Sequence, residues 1–103
     1  MNEITIYTNV FTPISVNLEE YDFEGIAKLV LVIKNDYDGE CIVREEFAEA
    51  GSHQILVSPE QAEKLYNGSI MGFIKITDDD KEYAEGQLYK VALKEWVGDC
   101  DNE

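Results

Sequence analysis

Basic residues are scarce: the 103-residue chain carries 8 Lys or Arg against 22 Asp or Glu, a formal charge of −14. Such a field repels phosphate backbones, which excludes direct nucleic-acid binding, and it suits basic partners. Histidine is scarcer still, with one in the chain, His53. A Ser/His/Asp or Cys/His arrangement would have to use that ring, and a surface histidine at a strand start is expected instead. The two cysteines, Cys41 and Cys100, lie in neither a CxxC nor a cluster with histidine, so the sequence offers no metal-ligand or redox motif. The longest apolar run, Leu29 to Ile33, falls far short of the roughly 20 residues that cross a bilayer as a helix. Near the N-terminus an acid, Glu3, stands where a signal peptide needs basic residues, so the chain is read as not secreted.

What the chain does contain is core material: 45% of its residues are hydrophobic and 11% aromatic, enough for one domain. The apolar residues recur with period two in short runs separated by turn residues. Ile4 and Ile6 mark a first strand, and Ile14, Val16 and Leu18 alternate with polar residues in a second. Ala27 to Asn35 is the strongest strand, and Asn35 to Gly39 is a turn in which glycine supplies positive φ. The partner strand, Cys41 to Phe47, carries Arg44-Glu45-Glu46 and is expected at an edge. Ile55 and Val57 end the next strand. Ser58-Pro59-Glu60-Gln61 then reads as a capped helix start, with the helix running over about residues 58–66 and Asn67-Gly68 ending it. Ser69 to Thr77 is again a strand, and the last runs from Glu82 to Trp96 with a bulge at Gly86.

The expected fold is all-β: an immunoglobulin-like antiparallel two-sheet sandwich with one short helix, a closed barrel being the alternative. Residues 1–97 form a single domain and 98–103 an acidic, frayed tail. Leu29, Leu31, Ile33, Ile55, Val57, Ile74, Val91 and Leu93 are the expected core.

The acidic turns invite a metal reading. Asp78-Asp79-Asp80 with Glu82, and Asp36, Asp38 and Glu40 around Gly39, lack the alternating ligand order of a calcium loop, and they read as soluble hairpin tips. Ser58 has a better use as a helix cap than as a nucleophile. Gly68 and Gly72 lack the strand-to-helix context and lysine of a phosphate loop. Tyr21, Phe23, Tyr37 and Trp96 stand in connections or near the end, where aromatics either anchor partners or close a sandwich. No catalytic, cofactor-binding or metal-binding residue is assigned, and the chain is read as not an enzyme.

The order of elements carries more. A strand written Leu29-Val30-Leu31-Val32-Ile33-Lys34 is followed by a hairpin, then Ile55 to Gly68 with its Ser-Pro-Glu-Gln helix, then Phe73-Ile74-Lys75-Ile76. This resembles the small immunoglobulin-like β-sandwich domains of tailed bacteriophages and prophages, including the N-terminal domains of baseplate upper proteins, over roughly Ile14 to Leu93. The resemblance implies a non-enzymatic structural or assembly role in a tail, baseplate, neck or head decoration, located in the virion or the bacterial host cytoplasm. Two other readings stand beside it: an acidic inhibitor that imitates phosphate in a host nucleic-acid enzyme, and a small calcium- or sugar-binding module.

Two strands look apolar on both faces, yet a sandwich buries one face per sheet. Val30, Val32, Met71 and Phe73 are therefore the expected interaction surface, and the partner is a second copy of the chain or a larger phage tail protein, with neither nucleic acid nor membrane involved.

Overall fold

The computed structural model describes residues 2–100. Its strands are β1 (Asn2–Tyr7), β2 (Thr12–Leu18), β3 (Ile26–Lys34), β4 (Cys41–Phe47), β5 (Gly51–Val57), β6 (Ile70–Thr77) and β7 (Glu82–Lys94), with one helix, α1 (Pro59–Glu63), before β6. They form an all-β sandwich. One sheet has five strands in the order β1-β7-β6-β3-β4, and the other pairs β2 with β5. The β3–β4 and β6–β7 hairpins stay in the large sheet while β2 and β5 cross to the small one, which is the Greek-key layout of an immunoglobulin-like sandwich. The end of the expected tail, residues 101–103, lies outside the described residues.

The antiparallel expectation fails at one pair, because β1 runs parallel to β7, from Asn2 opposite Tyr89 to Tyr7 opposite Lys94. β1 and β2 belong to different sheets, so β1 lies against the last strand of the chain instead of forming a hairpin with its neighbour.

The core is built from alternation. In β2 the side chains of Thr12, Ile14, Val16 and Leu18 are buried and those of Pro13, Ser15 and Asn17 face water. Ile55 and Val57 of β5 join them against Leu29, Leu31 and Ile33 of β3, Val43 and Phe47 of β4, and Val91 of β7. Leu93 packs against this cluster from its margin. Ile74, expected in the core, is instead on the outer face of the large sheet, because it sits opposite Val30 while Leu31 pairs with Phe73 and Ile33 with Met71.

The helix begins as its sequence dictates. Gln61 donates its backbone N–H to Ser58 Oγ at 3.1 Å, and Ser58 N–H donates to Gln61 Oε1 at 3.0 Å. It ends at Glu63, earlier than expected, since Lys64 and Leu65 donate to carbonyls three residues back (3.0 and 3.1 Å) and the chain tightens out of the α-helix. Asn67 lies beyond the helix and caps β7 instead, accepting Leu93 N–H at 2.7 Å. Gly39 also differs from expectation. Its backbone lacks positive φ, and its value is closeness: an added Cβ would stand 3.0 Å from Asp36 N. Gly86 does take φ +74°, where the β6–β7 register shifts.

Candidate interaction surface

Of the groups weighed for catalysis, His53 and Ser58 are engaged in structure. His53 Nε2 lies 2.9 Å from the Glu49 carbonyl, and its ring leans on Phe47 at 5.1 Å. Ser58 Oγ caps α1. Cys41 is exposed on the edge strand β4 and Cys100 is exposed beyond β7. In the turn after β6, Asp79 accepts the Thr77 hydroxyl at 2.5 Å, and that bond holds its carboxyl below the usual carboxylate range, with Lys81 adding at 3.6 Å. Among the described residues, no three His, Cys, Asp or Glu side chains are grouped so as to hold a metal ion.

The loop aromatics divide. Tyr21 and Phe23 meet edge to face at 4.9 Å and pack against the core. Trp96 meets Tyr7 at 4.8 Å, and the Asn9 side chain holds both Trp96 N–H (2.9 Å) and its carbonyl (2.8 Å). Tyr37 is left 64% exposed at the rim of a depression on the large sheet.

That depression lies on the face turned away from the small sheet. Cross-strand register assembles it in rows: Glu46, Val30, Ile74 and Ala84; then Arg44, Val32 and Gly72; then Lys34, Ile70 and Lys90. Gly72 has no side chain to fill its place, and the Leu88 side chain lies over it, 2.8 Å from where a Cβ would be. The result is an open apolar hollow of about 250 Å³ between Val32, Ile70, Ile74, Ala84 and Leu88. Leu88 is 42% exposed.

Of the expected surface, Val30 and Val32 are on this face, with Val30 only 2% exposed. Met71, 3% exposed, is instead in the core on the inner face, while Phe73 packs against that core and also contributes to the lining of the hollow. Every position from Ile70 to Ile74 except Gly72 is apolar, so alternation alone leaves β6 without a face, and only pairing with β3 decides it. Ile74 is expected in the core for the same reason, and Ile70, Ala84 and Leu88 are given no face by the sequence. A glycine in mid-strand was the one signal for them, since it often marks close approach of another group.

Charge also differs here from the molecule as a whole. Four of the eight basic residues, Lys28, Lys34, Arg44 and Lys90, fall in the register rows of this face. Glu46 bonds both Lys28 (3.2 Å) and Arg44, and these bonds lower its carboxyl from the usual range, Arg44 contributing most. Among the described residues, Lys34 and Lys90 have no carboxylate within ion-pairing distance. Lys34 and Asp36 both line the hollow, and Arg44 and Lys90 stand in the rows beside it. No helix of the described residues is long and apolar enough to cross a membrane. Comparison with family models, with curated proteins and with solved structures finds no match to this chain.

Proposed function

We propose that this chain is a non-enzymatic structural or assembly protein of a phage or prophage particle, and that it works by docking another protein subunit on the outer face of its large sheet. The observation that carries the docking reading is the apolar hollow itself: Val32, Ile70, Ile74 and Leu88 lie together on a sheet face that the small sheet does not cover. An apolar hollow rimmed by polar side chains has the form that docking sites take. The polar frame of Lys34, Arg44 and Lys90 gives the patch the build of an interface, apolar at its centre and charged at its rim. The particle assignment rests on the resemblance of Leu29 to Lys34 and Ile55 to Gly68 to phage sandwich domains. The partner is a second copy or a larger tail protein.

The test is Val32→Lys. Val32 is half-buried beside the hollow, so a lysine there places an ammonium on the apolar surface while its stem can still reach water. Light scattering after size exclusion should show the wild-type chain associating with itself or with a co-expressed tail protein, and the variant monomeric with an unchanged far-ultraviolet spectrum. Equal association of the variant would overturn the docking face.

A further inference from the structure

The small sheet has two strands where the large one has five, so part of the inner face is left without a strand above it. Phe47 on β4 touches His53 on β5, which sets β5 over the β3–β4 side and leaves β2 over β6 and β7. Among the described residues, β2 pairs with β5 alone, and its other edge is open.

That edge overlooks a groove of about 290 Å³, floored by the half-buried Phe73 and Tyr89 and walled by Tyr21, with Ser15 to Leu18 along one side. Glu85 lines it, and Glu19 and Glu20 with Asn17 and Tyr21 line a second hollow that continues it. The backbone of the edge is available. Pro13 has no N–H, so its nitrogen belongs on the side away from β5, and alternation puts Ser15 and Asn17 on that same side. Among the described residues, neither the Ser15 nor the Asn17 backbone N–H has a hydrogen-bond acceptor outside the ladder. Unpaired edge groups, an apolar floor with room for alternate side chains and a rim of carboxylates meet in one place.

We propose that β2 accepts a third strand there: an extended, basic segment of a partner protein that pairs with Ser15 and Asn17, sets apolar side chains on Phe73 and Tyr89, and brings Lys or Arg to Glu19, Glu20 and Glu85. Strand addition draws affinity from main-chain bonds and specificity from alternate pockets. The acidic rim selects the sign of the partner, and it makes a second copy of a chain of charge −14 a poor occupant. This surface is separate from the outer face, so the two readings stand or fall independently.

The probe is a short soluble peptide of alternating valine and lysine, with a valine–glutamate peptide as its counterpart. In the free protein the Ser15 and Asn17 amides should exchange freely with solvent while those of Ile14 and Val16 are protected. Saturating valine–lysine peptide should slow Ser15 and Asn17 by about tenfold or more. Ser15→Pro, which removes one edge N–H at a position exposed like Pro13, should lose the binding while keeping the wild-type melt. Glu85→Gln should weaken it and reduce its salt dependence. Binding of the peptide without protection of Ser15 and Asn17, equal binding of the glutamate peptide, or full binding by Ser15→Pro would overturn the proposal. So would no binding at millimolar peptide, or protection of the two amides by a second copy of the chain alone.

Discussion

Ser69 is fully buried (0% exposed) at the corner where the helix segment meets the large sheet, and its hydroxyl is bonded on both sides. It accepts Tyr66 N–H at 3.0 Å and donates to Asn35 Oδ1 at 2.8 Å, while Asn35 Nδ2 donates onward to the Lys64 carbonyl at 2.8 Å. Ser69→Ala removes the hydroxyl and fills little of the space. Two partners then lose a bond where water has poor access, each costing about 1–3 kcal/mol, with partial exposure of Asn35 drawing the sum toward about 2–4 kcal/mol. For a domain of this length that lowers the melting temperature by about 10–25 °C. Asn35→Ala breaks the same bridge from the other end, so in urea melts the double variant should cost about 0.5–3 kcal/mol less than the sum of the singles. A Ser69→Ala cost under about 0.5 kcal/mol, or strictly additive losses, would refute the idea that this bridge holds the helix segment to the end of β3.

Leu31→Ala should cost about 2–5 kcal/mol in denaturant melts, since Leu31 is wholly buried between the sheets; a cost near zero would mean the inner face has been misassigned. Tyr21 should ionise above the ordinary tyrosine range, because burial and then the nearby Glu85 carboxylate, by its charge and its hydrogen bond, raise its pKa. The folded pKa is the higher one, so the stability this contributes is complete below the ordinary tyrosine range near pH 10 and is lost as pH rises through the folded value. Glu85→Gln should lower the pH of the Tyr21 step in an ultraviolet alkaline titration, and an unmoved step would refute the pairing.

The parts of this fold that are written locally were legible. Thr12 to Leu18 alternates without a break, so its inner face is fixed by its own residues, and Ser58 with Gln61 encodes the helix start within four residues. What depends on remote pairing was not. Ile70 to Ile74 is apolar at every position but Gly72, so both parities read alike there, and its face is decided by Ile33 meeting Met71 across the sheet. The parallel seating of β1 on β7 joins residues more than 80 positions apart, which no local pattern records. The make-up of the outer face was half legible for the same reason: Val30 and Val32 belong to a strand whose parity is clear, whereas Leu88 gains its place through the bulge at Gly86 and the gap at Gly72.

The parallel seating of β1 on β7 also governs how the domain answers to mechanical load. The two strands point the same way, so the start of β1 and the finish of β7 stand at opposite ends of their ladder, and tension between those points slides one strand along the other. The six residue pairs from Asn2–Tyr89 to Tyr7–Lys94 then share the force across their hydrogen bonds and must yield together. An antiparallel pair pulled from adjacent ends would instead open one rung at a time. Beyond the last rung the Asn9 side chain grips the Trp96 backbone as a further strand residue would, adding a clasp at the end where β7 is drawn out. Load applied between those two points is therefore borne in shear by the whole ladder and not by its end rung alone.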